Sequence, residues 1–379
     1  MNISMKSFRP AALVFVAAVG LASAIMAQDK PAQDKSAQDK PQGEFGEKLN
    51  VHEVLLDVLV TDARGHVIVG LGKDDFVVKE DGKPVSLTGV SFYSNRSLVE
   101  SAQAANQKGL KAAEAPEDRY FVLFFDDQKN NAAEAPELLS QQMQAVQRAR
   151  DWVLRDVLVN DWVAVVSYDQ KLKVQQDFTH DRKALAAAIS DAMKGIDHET
   201  NWPSRIPQGG GPSLIAGLPR GEALRDKTTT IYDALDTLAA AAGKVTGRKN
   251  LLFFSNGFGE RINNFGQYIP DERHYPAMVH VLNDNNVAVY PIDLVPEGTQ
   301  HTLTDSMNQL ASDTGGRYFF NFTNFITPLK QVAQENSGYY LLSYGTERPA
   351  GKAGYQEVQV KTTNPEFKVR ARKGYEYGK

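Results

Sequence analysis

Cysteine is absent from the 379 residues. No disulfide braces the fold and no lipid-carrying cysteine follows the amino-terminal segment, so stability has to come from the core. Histidine is scarce, with seven in the chain. His274 and His280 stand six apart, a spacing that does not put both on one helical face. Neither sign of charge is in large excess, the formal net charge being -4. A phosphate-binding surface needs a basic excess, so nucleic acid is not an expected partner, and no polybasic membrane patch is visible. Three catalytic signatures are also missing: the Gly-x-Ser-x-Gly elbow, the His-Glu-x-x-His helix and the Gly-rich dinucleotide turn. The Gly209-Gly-Gly211 run has neither a preceding strand nor a Gly-Lys-Ser/Thr ending, so it is no phosphate loop.

Long apolar runs are lacking except near the start. Lys6 and Arg9 precede the apolar stretch from Ala11 to Ala18, and small residues follow at Ala22-Ser-Ala24 and Ala27. Residues 1–27 are expected to be a signal peptide cleaved after Ala27, with Ala24 as the alternative, because the apolar part is short for a membrane span of about 20 residues. The mature chain is then secreted or periplasmic, without a membrane anchor, and its formal charge moves from -4 to -6. Residues 28–48 repeat Ala-Gln-Asp-Lys and hold little that could pack, which predicts a disordered tether.

What remains is globular, with 42% hydrophobic residues. Between residues 49 and 96 the pattern has period two. Val54, Leu56, Val58 and Val60 alternate, Asp62-Ala-Arg-Gly65 turns, Val67 to Val69 resumes, and strands follow at Phe76-Val-Val78 and 85–92. Asp74 and Asp75 lack the regularly spaced oxygens of a calcium loop and belong to a turn. Residues 97–118 form a linker.

Arg119-Tyr-Phe-Val-Leu-Phe-Phe-Asp126 is an apolar run without alternation, which predicts a central strand covered on both faces. Its polar end sits where open α/β sheets place ligands. A helix from Pro136 using Leu139, Met143, Val146, Val153 and Val157 comes next, then a strand over 161–168 and an antiparallel edge strand over 171–178. Leu185, Ile189 and Met193 lie on the following helix. Residues 201–227 show no periodicity and are expected to be disordered or a functional surface loop. An alanine-rich helix after Thr228, a strand before Gly257, a helix near 275–285, a strand over 287–292, a helix over 303–312 and a short strand over 317–320 complete the alternation. The expectation is one doubly wound α/β domain over 119–337, mostly parallel with one antiparallel edge strand and Rossmann-like. From residue 338 the texture turns β again. Those strands are expected to pair with the first ones, giving a small β module from 49–96 and 338–379.

Asp126 at a strand end, Thr229-Thr-Ile-Tyr-Asp-Ala-Leu235 and Leu251-Leu-Phe-Phe-Ser-Asn-Gly257 resemble the three metal-site segments of a von Willebrand factor type A (VWA) domain. Val58-Leu-Val-Thr-Asp-Ala-Arg-Gly65, Leu71-Gly-Lys-Asp-Asp-Phe76, Glu80-Asp-Gly-Lys83 and Val369-Arg-Ala-Arg-Lys-Gly-Tyr375 resemble the VWFA-related family found in Acidobacteria. That resemblance implies a magnesium ion held by Asp-x-Ser-x-Ser, a threonine and a second aspartate, and completed by a partner's carboxylate. Asp126 and Thr229 match that set; Gln128 and Asn130 replace the serines, and Asn256 replaces the second aspartate. Amides are larger than hydroxyls and carry no charge, so a weak or vestigial site is expected, with Asp126 and Thr229 as its only matching ligands and calcium favoured over magnesium. The expected function is an exported protein-binding or adhesion module using Asp126, Gln128, Asn130, Thr229 and Asn256. The alternatives are a hydrolase using Asp126, Asp127 and Asp293, which no motif supports, and a structural component of the cell envelope.

Overall fold

The computed structural model describes residues 49–94, 118–126, 135–202, 211–259, 261–262, 268–296, 303–322, 324–349 and 352–378. The leader, the tether, the linker, Asp127, Gln128 and Asn130 lie outside the described residues.

Four strands open the chain: β1 (Leu49–Thr61), β2 (Phe76–Glu80), β3 (Lys83–Val85) and β4 (Gly89–Ser94). The α/β region follows with β5 (Arg119–Asp126), α1 (Ala135–Arg155), β6 (Asp161–Tyr168), β7 (Leu172–Thr179), α2 (Arg182–Met193), α3 (Glu222–Lys227), α4 (Ile231–Ala242) and β8 (Lys249–Ser255). It continues through the short hairpin of β9 (Arg261–Ile262) and β10 (Tyr268–Ile269), then α5 (Tyr275–Asp284), β11 (Val287–Asp293), α6 (Thr304–Thr314) and α7 (Ile326–Glu335). β12 (Gly338–Pro349), β13 (Gly354–Thr362), β14 (Lys368–Arg370) and β15 (Gly374–Tyr377) complete the described elements.

The unbroken apolar strands behave as their composition requires. β8 and β11 are buried at every position, and β5 at all but one. They form a five-stranded sheet in the order β11-β8-β5-β6-β7, parallel except for β7, which runs antiparallel at one edge. At the other edge Phe319 forms a single parallel bridge with Ile292, all that becomes of the strand expected over 317–320. Alternate residues of β5 face opposite ways. Phe121 and Leu123 join α1, α2 and α7 through Trp152, Ile189 and Leu329, whereas Val122 and Phe124 join α4, α5 and α6 through Leu235, Leu282 and Leu310. Both faces are dry, and each of these large side chains contributes about 1.5–3 kcal/mol by burial. The fold is therefore doubly wound.

Helix α1 keeps Val146 and Val153 inward as expected but not its first two expected positions. Leu138, Ala145, Val146, Ala149, Trp152 and Val153 are buried, whereas Leu139 and Met143 are exposed. Two apolar stripes overlap in this sequence, and Trp152, which packs edge-on against Phe121, selects the inner one. The stretch 201–227 also differs from a plain loop. Trp202, Leu214, Ile215 and Leu224 are buried, and its last residues form α3. Asp177 pins its middle, accepting from Ser213 Oγ at 2.5 Å, Leu214 N at 2.8 Å and Ile215 N at 3.4 Å. Residues 203–210 lie outside the described set.

The flanking strands pair across the chain. β1 runs antiparallel to β12, with Leu56 opposite Leu342, in a sheet of order β14-β1-β12-β4. β13 pairs with β2, Val360 opposite Val78, in a second sheet of order β15-β13-β2-β3. Val54, Leu56, Val58, Val78, Leu342 and Val358 share one core between these sheets. Val67 makes one bridge to Thr61 rather than resuming a strand.

Polar contacts tie this module to the α/β region. Arg372 donates to the carbonyls of Asn283 at 2.8 Å and Leu55 at 3.0 Å, and the Asn286 amide donates to Asp57. Gly315 ends α6 at a φ of 73°, and the next residue, Gly316, passes so near β11 that a Cβ there would meet Val289 O at 1.8 Å. Only glycine fits that crossing.

Candidate functional site

The carboxyl edge of the central sheet collects the polar ends of β5, β6, β8 and β11. Asp126 closes β5 and is buried. The Ser255 hydroxyl donates to Asp126 Oδ2 at 2.6 Å and accepts from Gly257 N at 3.0 Å, while Ser255 O accepts from Leu294 N at 3.0 Å. One serine thus joins the ends of three adjacent strands. Asn256 follows it, half-buried.

Thr229 is exposed just before α4, and its hydroxyl donates to Asp233 Oδ2 at 3.2 Å. Thr230 caps the helix: its Oγ1 accepts from Asp233 N at 3.2 Å and donates to Asp233 Oδ2 at 2.8 Å. This reciprocal arrangement satisfies an amide at the helix start and fixes the loop. Thr228 points elsewhere, its hydroxyl donating to Leu224 O at 2.7 Å and accepting from Leu172 N at 3.2 Å.

Tyr168, at the end of β6, connects the two halves of the edge. Burial, followed by the charges of Asp126, Asp233 and Asp169, holds its phenol far above the ordinary range. A hydroxyl that responds to both Asp126 and Asp233 lies in a field they share. Burial, with Asp233 next, also raises Asp236. The edge is acidic. Asp293 is engaged beside it, accepting from Tyr318 Oη at 2.6 Å and from Val295 N at 2.8 Å.

The residues named from sequence therefore divide. Asp126 and Asn256 end neighbouring strands, whereas Thr229 is bonded to Asp233, whose charge acts with that of Asp126 on Tyr168. Gln128 and Asn130 lie outside the described residues. Ser255, Asp233, Thr230 and Tyr168 were not singled out by motif, although the first three stand inside or beside the quoted segments. A capping box, Thr-x-x-Asp from Thr230, was the available signal.

The donor set was tested against the divalent ion that the type A resemblance implies. Among the described residues no group of three or more Asp, Glu or His is placed to hold a metal ion. Magnesium requires six close oxygens. Of the matching donors, the described residues supply one carboxylate and one hydroxyl, Asp126 and Thr229, each already hydrogen-bonded.

Structural comparison aligns the chain with several solved proteins. Proximal thread matrix protein 1 from the mussel byssus matches with a TM-score of 0.34 and 16% identity, over 58% of this chain and 48% of that one. BatB from Bacteroides thetaiotaomicron matches with a TM-score of 0.29 and 14% identity, over 58% of this chain and 97% of that one. The ArnB paralog VWA2 from Sulfolobus acidocaldarius matches with a TM-score of 0.31 and 10% identity, over 86% and 74%. This chain spans about half the length of the byssus protein. No family model and no curated protein matches. Likeness at this distance carries no function. Among the described residues, no helix is long and apolar enough to cross a membrane.

Proposed function

We propose that this chain is an exported protein-binding module of the VWA-related kind, recognising another protein through the carboxyl edge of its central sheet without depending on a tightly held metal. The observation that carries this reading is the engagement of the matching ligands with their own neighbours. Asp126 is held by Ser255, and the Thr229 hydroxyl is directed to Asp233. Such bonds build a fixed polar surface suited to recognition, because an interface gains most from groups already held in place. The leader-like start supports export. A hydrolase reading has less support, since Asp293 already accepts two hydrogen bonds and the sequence carries no hydrolase motif.

Calcium is the ion expected to bind if one does, because it accepts amide oxygens in irregular shells. Titration calorimetry on the parent, Asn256→Asp and Asp126→Ala tests the proposal. The parent is expected to bind magnesium weakly or not at all at millimolar concentration, Asn256→Asp more tightly by its added carboxylate, and Asp126→Ala not at all. Tight magnesium binding by the parent would overturn the reading.

A further inference from the structure

We propose a second binding site, for a small ligand carrying a carboxylate or phosphate group, in the cleft where the β module meets the carboxyl end of α6. The cavity measures about 410 Å³. Four cationic side chains line it, Arg317, Arg370, Arg372 and Lys373, together with the neutral hydrogen-bonding groups of Asn308 and Ser312. No carboxylate is among its lining residues. In a chain whose net charge is -4, that concentration of cations is not a consequence of composition.

The counter-charges of these four side chains all lie outside the cavity lining. Glu335, buried behind the cleft, serves two guanidinium groups at once, Arg317 Nη1 at 2.6 Å and Arg370 Nη2 at 2.8 Å. Lys373 pairs with Asp313 at 2.8 Å. Arg372 directs its two terminal nitrogens to the backbone carbonyls of Asn283 and Leu55. Arg317 and Arg370 thus share one carboxylate, Lys373 has another, and Arg372 lies in the field of Asp57 and Asp284, so the cations most available to an incoming anion are the solvent-reaching Arg317 and Lys373. Arg317 is 40% exposed and Lys373 53% exposed, so both are able to turn toward an entering oxyanion. Guanidinium forks match carboxylate and phosphate oxygens in pairs, and the amide and hydroxyl of Asn308 and Ser312 offer further donors.

The position gives the site a consequence. Arg317, Asn308 and Ser312 belong to the α/β region, whereas Arg370, Arg372 and Lys373 come from the final strands. An anion held among them bridges the two.

The test uses the complete mature chain, with inorganic phosphate and citrate as separate probes, followed by calorimetry and thermal unfolding in a chloride buffer. Saturable binding of at least one probe and a raised Tm are expected. The variants are Arg317→Gln and Lys373→Glu, the second of which leaves the buried Glu335 pairing with Arg370 intact. Each is expected to weaken binding about tenfold to a hundredfold, the loss of one charge-assisted contact. Asn256→Asp, which changes none of the cleft's lining residues, is expected to bind the probe as the parent does, which separates this site from the recognition edge. Absence of saturable binding by both probes, or binding unchanged in both cleft variants, overturns the proposal.

Discussion

Asp177 offers a direct test of how the long 201–227 segment is held. Its side chain is fully buried on the antiparallel edge strand and receives Ser213 Oγ, Leu214 N and Ile215 N, besides Phe178 N at 2.9 Å. Asp177→Ala leaves three close donors and one distant one without this acceptor. At about 1–3 kcal/mol for each buried donor left unmet, the expected loss is roughly 3–5 kcal/mol. Asp177→Asn keeps an acceptor for Leu214 N and removes a desolvated charge, so its cost is expected to stay below about 1.5 kcal/mol. Burial, against the hydrogen bonds from Ser213 and Leu214, raises the Asp177 carboxyl above the ordinary range. A raised folded-state value means that the folded chain binds the proton more tightly than the unfolded one. The contribution is then fully present below the unfolded value of about 3.9 and is lost as pH rises through the folded value. The parent should therefore lose stability relative to Asp177→Asn as pH rises across that window. Urea unfolding of the three proteins from about pH 4 to about pH 7 measures both effects. A loss below about 1 kcal/mol for the alanine variant with an unchanged m value, or a parent that gains on the asparagine variant with rising pH, would refute the reasoning.

Two further outcomes concern the first residue of β8 and the flanking β module. Lys249 is buried, and burial pushes its amine down to about 8. Between that value and about 10.4 the unfolded chain binds the proton and the folded chain does not, so the parent gains stability with rising pH there. Lys249→Met is expected to stabilise by up to about 3 kcal/mol near neutral pH, an advantage that fades toward pH 10 in chemical unfolding; an advantage constant with pH would contradict this. Removing residues 338–379 strips β12 from β1 and β13 from β2 and exposes their shared core. Limited proteolysis should then cut readily within 49–94, and protection equal to that of the complete chain would mean that the first strands stand alone.

The sheet was legible because its strands are continuous apolar runs separated by helical periodicity. The antiparallel edge was legible too, from the tight turn before Leu172. Helix α7 and strand β15 escaped notice. Ile326, Leu329 and Val332 do recur at helical spacing, but Thr327 and Pro328 at the start of that run read locally as a break. Leu139 and Met143 were assigned inward because two stripes of α1 satisfy the same period, and only packing against Phe121 chooses between them. At the recognition edge, the motif positions identified the strand ends but not what the side chains do there. Nothing in the identity of Ser255 or Asp177 announces that each receives or donates bonds from segments far along the chain. Those roles arise from which strand ends become neighbours.

Pairing between β1 and β12 also fixes an order of events. Leu56 meets Leu342 only after the whole α/β region has been made, so β1, whose strand partners are β12 and β14, has neither while the chain is growing. Closing so long a loop from an unfolded chain is slow, whereas a folded α/β region brings its own two ends together in advance. The β module is therefore expected to form last, and the alternating apolar edge of β1 is the segment most exposed to wrong pairing until it does. That interval is the period in which a holding chaperone would matter most.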